Sequence, residues 1–88
     1  MAQIDIMSLQ KIEKERNTIH EIVSATYTVF EKDNNKYLQI DTYGKESRAI
    51  RGKISQSFQI DEEVARRLIV LLLKEFDIEF KVSDLGIV

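Results

Sequence analysis

KYLQIDTYGKESRAIRGKISQSFQIDEEVARRLIVLLLKEF, residues Lys36–Phe76, is the stretch that decides the fold. Its first part, Tyr37-Leu38-Gln39-Ile40-Asp41-Thr42-Tyr43, alternates apolar and polar side chains with the period of two that a half-buried strand requires. Leu38 and Ile40 then face a core, while Tyr37, Gln39, Asp41 and Tyr43 face the other way. A second alternating run extends from about Ala49 to Ile60. It places Ile54, Phe58 and Ile60 in one register and Arg51, Lys53, Ser55, Ser57 and Gln59 in the other. At Asp61 the period changes. Asp61 is a good N-cap, Glu62 and Glu63 suit the positive end of a helix dipole, and Ile60 with Ala65 can form a hydrophobic staple. The helix predicted over Asp61–Phe76 carries an apolar stripe of Ala65, Leu68, Ile69, Leu72 and Phe76 that can lie over the sheet.

Toward the N-terminus, Ile22-Val23-Ser24-Ala25-Thr26-Tyr27-Thr28-Val29-Phe30 is rich in β-branched and aromatic residues and reads as another strand. The polar Lys32-Asp33-Asn34-Asn35-Lys36 after it supplies residues that tolerate positive φ, so these two strands are expected to pair as an antiparallel hairpin. Leu9, Ile12, Arg16 and Ile19 fall at helical spacing behind Ser8, which predicts a short N-terminal helix; a strand through Ile4 and Ile6 is the alternative. Beyond the long helix, Ile78-Glu79-Phe80-Lys81-Val82 alternates as a short strand before an apolar tail. The expectation is one α+β domain over residues 1–88: an N-terminal segment (1–19), a three- or four-stranded antiparallel sheet (20–60), a helix on one face (61–76), and a C-terminal strand and tail (77–88).

Composition narrows the chemistry. The 88 residues are 43% hydrophobic and 32% charged, which is ordinary for a globular protein, and proline and cysteine are both absent. Without cysteine there is no disulfide, thiol nucleophile or cysteine-ligated zinc. The longest apolar run, Leu68–Leu73, is far short of the roughly 20 residues of a membrane span, and Met1–Leu9 lacks the basic start of a secretory signal. A cytoplasmic protein without membrane attachment is expected. His20 is the sole histidine, so neither a histidine dyad nor a multi-histidine metal site can form within one chain. Asp61-Glu62-Glu63 is explained by the helix start, and Ser47, Ser55 and Ser57 have no activating base nearby in sequence. Gly44, Gly52 and Gly86 are too dispersed for a phosphate cradle. Two carboxylates, such as Asp41 and a neighbour, working with Lys53 as in metal-dependent nucleases are unsupported, because Asp41 next to a basic strand is explained by cross-strand charge pairing. The chain is expected not to be an enzyme, with no cofactor and no metal.

Charge is placed rather than spread. Between Gly44 and Ile60 stand Lys45, Arg48, Arg51 and Lys53 against the single acid Glu46, a local charge of +3 in a chain of net −2. The bland account is that these cations solvate the face or guard a sheet edge. The sharper account is a nucleic-acid surface: Lys45, Arg48, Arg51 and Lys53 on phosphates, Tyr37 or Tyr43 stacking on a base, and Gln39 between them. Val70, Leu71 and Leu73 widen the helix's apolar surface beyond one stripe, which predicts cover from a second side and makes them candidates for a homodimer interface.

The stretch from Tyr37 to Phe76 resembles the single-stranded-DNA-binding transcriptional coactivator family known as positive cofactor four. The likeness lies in the strand Tyr37–Tyr43, the basic glycine-bearing link into Arg51-Gly52-Lys53-Ile54-Ser55, and the helix opening at Asp61. It implies a dimer of curved sheets backed by helices that binds single strands through sheet aromatics and basic side chains. Tyr37, Tyr43, Arg51 and Lys53 occupy the matching positions. The short Gly44–Ala49 connection, the absence of tryptophan and the long third strand depart from the pattern. Two functions are therefore in view: a small DNA-binding module acting as a homodimer, or a regulatory or accessory subunit whose basic strip and apolar helix face bind a protein partner.

Overall fold

The computed structural model describes residues 1–44, 53–79 and 81. Among these residues four strands, β1 (Ala2–Gln3), β2 (Ala25–Lys32), β3 (Asn35–Thr42) and β4 (Gln56–Ile60), precede one helix, α1 (Glu62–Glu75). They form a single sheet in the order β1-β4-β3-β2 with α1 packed against β3 and β4, an α+β architecture.

The β2–β3 hairpin follows from its turn. Lys32 pairs with Asn35, leaving Asp33 and Asn34 as the two central residues, with φ of 54° and 67°. Positive φ at both positions matches the right-handed twist of the flanking strands, and Asp and Asn enter this region at less cost than most residues. The register then pairs Val29 with Leu38 and Tyr27 with Ile40, while β3 pairs Leu38 with Ile60 and Ile40 with Phe58. These residues form one sheet face. α1 starts as its sequence predicts: the Val64 N–H donates to Asp61 Oδ1 at 2.9 Å, and Glu62 holds Arg66 one turn later. It ends in a Schellman arrangement, with Asp77 at φ 53°, the Ile78 N–H on the Leu73 carbonyl and the Asp77 N–H on the Lys74 carbonyl.

Several expectations are corrected. The N-terminal helix is not formed: residues 4–24 contain no helix, and Asp5 instead closes a turn by accepting from the Met7 and Ser8 N–H groups. Ile12 and Ile19 are exposed, so the spacing that predicted a helix has no apolar surface to bury, and a short helix without such packing is marginal in water. The sheet is mixed rather than antiparallel. Ala2 and Gln3 run parallel to β4, opposite Phe58 and Gln59, just ahead of the alternative strand through Ile4 and Ile6. Lys53, Ile54 and Ser55 precede β4 rather than belonging to it, and residues 45–52 lie outside the described residues. Ile78, Glu79 and Lys81 are not in a strand; Phe80 and residues 82–88 are also outside.

The face of α1 on the sheet is rotated from the predicted stripe. Val64 is fully buried, with Ala65, Leu68, Leu71 and Leu73 half-buried, whereas Ile69, Leu72 and Phe76 are exposed. Among the described residues, Ile60 and Val64 are the buried hydrophobic ones. The choice was ambiguous in sequence because Leu68–Leu73 is apolar at every position, so several stripes fit equally well.

Candidate nucleic-acid interface

The face of the sheet opposite α1 is built by the alternate residues of the same strands. On β3 it carries Tyr37, Gln39 and Asp41, with Tyr43 just beyond the strand end; on β4 it carries Ser57 and Gln59, and on β2 it carries Thr26, Thr28 and Phe30. Cross-strand pairing sets Gln39 opposite Gln59 and Asp41 opposite Ser57. The side chains are joined in a line. Gln59 Nε2 donates to Gln39 Oε1 at 2.8 Å, Gln39 Nε2 donates to Asp41 Oδ1 at 2.8 Å, and Ser57 Oγ donates to the same oxygen at 2.5 Å.

Asp41 is 6% exposed and Ser57 is also buried. A carboxylate can occupy so buried a place because two donors converge on it, which offsets part of its lost hydration. Among the described residues, Asp41 accepts hydrogen bonds from a hydroxyl and an amide; Lys45, Arg48 and Arg51, to which charge pairing was expected, lie outside them. Position 57 opposite it is a serine, which a reading of each strand alone does not bring to Asp41.

The aromatic residues are also anchored. The Tyr37 ring stacks on Phe30 at a centroid distance of 5.4 Å and 24° between planes, a directly cross-strand pair. Tyr43 is held through its backbone N–H on the Ser24 carbonyl at 3.0 Å and through its hydroxyl, 2.9 Å from Thr26 Oγ1. Both rings are half-buried. Beside them, Met1, Ala2, Gln3, Gln39, Ser57, Phe58 and Gln59 line an open cleft of about 260 Å³ where β1 meets β4.

Of the residues proposed from sequence, the structure brings Tyr37, Gln39 and Tyr43 together on this face. Lys53 is exposed, shortly before β4, while Lys45, Arg48 and Arg51 lie outside the described residues. Sequence reasoning missed Phe30 as the partner of Tyr37 and the Gln59-Gln39-Asp41-Ser57 line; a hairpin register derived from the Asp33-Asn34 turn would have found the first. Among the described residues there is no group of three or more histidine, cysteine or acidic side chains arranged to hold a metal, and no helix long and apolar enough to cross a membrane. Comparisons with family models, curated proteins and solved structures find no match to this chain.

Proposed function

We propose that the chain is a small nucleic-acid-binding module, with single-stranded DNA the favoured ligand, acting through the sheet face opposite α1. The observation that supports this reading is the placement of Tyr37, Gln39 and Tyr43 on one side of β3, on a face that α1 leaves open. The resemblance of Tyr37–Phe76 to the positive cofactor four family belongs to the same proposal.

The electrostatics divide the work. Asp41 at the centre of the face repels phosphate, so the sugar-phosphate backbone keeps to the side of Lys53; Lys45, Arg48 and Arg51, close to Lys53 in sequence, are the further cations of the proposal. Bases turn inward over the strands. There Tyr37 and Tyr43 offer rings for stacking, worth about 1–3 kcal/mol per base, and Gln39 lies between them with an amide of the kind that pairs with base edges.

The test is fluorescence anisotropy with single-stranded and duplex oligonucleotides at two salt concentrations. Replacing both Arg51 and Lys53 with alanine is expected to flatten the log–log salt slope by about 1.4 for a single strand and about 1.8 for a duplex. Tyr43→Ala is expected to weaken binding roughly 5- to 150-fold with the slope unchanged. Absence of binding by the parent to either oligonucleotide at low salt rules the reading out. In its place would stand a regulatory subunit that binds a protein, a reading favoured by the exposure of Ile69, Val70 and Phe76 on α1.

A further inference from the structure

β1 carries the polar face of the sheet one strand further. It runs parallel to β4 with Ala2 beside Phe58 and Gln3 beside Gln59, so Gln3 shares the face that holds Gln59, Gln39 and Asp41, and Ala2 the helix side. The Ile4 N–H on the Gln59 carbonyl, at 2.9 Å, pins the pairing. The cleft of about 260 Å³ at this junction is lined by Gln39, Ser57 and Gln59 from β3 and β4 and by Met1 and Gln3 at the β1 edge. β3 and β1 stand two strand spacings apart, ~10 Å, so a nucleic-acid strand stacked on Tyr37 or Tyr43 can set a neighbouring base into it.

The hydrogen-bonded line has a direction, and Asp41 sets it. A carboxylate only accepts, whereas a glutamine amide has one arm that donates and one that accepts. Gln39 must therefore turn Nε2 to Asp41, 2.8 Å away, which leaves its Oε1 for Gln59; Gln59 in turn gives its Nε2 to that oxygen, also at 2.8 Å. Ser57 Oγ donates to the same Asp41 oxygen and reinforces the polarity. Each amide's orientation follows from the one before it. The last arm of the line is Gln59 Oε1, an acceptor on a residue that lines the cleft.

We propose that this cleft is a base subsite, resting on the nucleic-acid reading above, in which Gln59 Oε1 accepts a hydrogen bond from the exocyclic amine of a cytosine or adenine. Thymine is disfavoured. It carries an oxygen where cytosine carries the amine, and two acceptors facing each other leave both unpaired. Both arms of Gln39 are engaged within the line, so base reading falls to Gln59, with the exposed Gln3 beside it. The buried carboxylate of Asp41 thereby selects a base through two amides, as a positioning residue.

Fluorescence anisotropy of the parent protein with short single strands of cytosine, of thymine and of 2-pyrimidinone, which is cytosine without its amine, reads the preference. Cytosine is expected to bind roughly 2- to 10-fold more tightly than either of the others, the worth of one hydrogen bond. Gln59→Leu should bring the three strands to parity. Asp41→Asn gives the line an end that donates as well as accepts, so both amides can turn over, and the cytosine preference is expected to vanish or to reverse toward thymine. Partial loss of fold in a variant would lower binding to all three strands alike and leave their ratio unmoved, so the ratio isolates the readout. Equal binding of cytosine and thymine by the parent overturns the inference while the nucleic-acid reading stands, as does a cytosine preference that survives Gln59→Leu or Asp41→Asn. No binding of the parent to any strand at low salt removes both.

Discussion

Val64→Ala measures how much of the fold's stability rests on the junction of helix and sheet. Val64 is the one fully buried large side chain among the described residues, in the first turn of α1, and Ile60 is its buried apolar companion at the end of β4. Removing its two methyl groups forfeits about 0.8 kcal/mol each in transfer free energy, and the unfilled space brings the loss to about 2–3 kcal/mol. Alanine is the better helix former by roughly 0.5 kcal/mol. The net expectation is a destabilisation of about 1.5–2.5 kcal/mol, or roughly 6–20 °C in melting temperature for a domain of this size. Val64→Thr keeps the shape but buries a hydroxyl, and is expected to cost about 1–3 kcal/mol without altering core volume. Urea melts followed by circular dichroism, at one fixed protein concentration so that association does not enter, give both values. A change under about 0.5 kcal/mol for both variants, the range of ordinary surface substitutions, would refute the packing of α1 on β3 and β4 through Val64.

Two further perturbations probe the opposite face and the hairpin. Asp41→Leu removes the acceptor on which Ser57 and Gln39 converge and is expected to cost about 1–3 kcal/mol, while Asp41→Asn, which retains a carbonyl acceptor, should lose distinctly less; equal losses by chemical denaturation would count against the hydrogen-bonded line. Asn34→Val forces a β-branched residue to φ 67° and is expected to cost about 1–3 kcal/mol. Asn34→Gly should hold or raise stability, with thermal melts as the readout.

Where the sequence was legible, one local interaction dominated. Asp61 followed by Glu62 and Glu63 at the edge of an apolar run is a helix start whatever lies around it, and the cap bond to Val64 forms as the residues imply. Alternation in Tyr37–Tyr43 likewise assigned Tyr37, Gln39 and Tyr43 to one side before any partner strand was known, since adjacent strand residues necessarily oppose each other. The N-terminal segment was not legible in this way. Leu9, Ile12 and Ile19 have helical spacing, but spacing stabilises a helix only where a surface receives it, and Ile12 and Ile19 are exposed. Nor does anything in two residues such as Ala2-Gln3 mark a strand; the free edge of β4 makes them one.

The amino-acid sequence by itself determined the α+β class, the β2–β3 hairpin, the helix beginning after Asp61 and the polar side of β3. Each depends on residues within a few positions of one another, whose backbone preferences and side-chain periodicity need no distant contact. Tertiary structure alone decided the parallel β1, the face α1 turns to the sheet, the stacking of Tyr37 on Phe30 and the burial of Asp41 beneath the donors of Ser57 and Gln39. In Leu68–Leu73 every residue is apolar, so hydrophobicity cannot choose a face; the short connection through Asp61 and the space above β3 and β4 choose it. Asp41 becomes buried and bonded only when β4 arrives in the register that sets Ser57 opposite it, a fact about two strands sixteen residues apart.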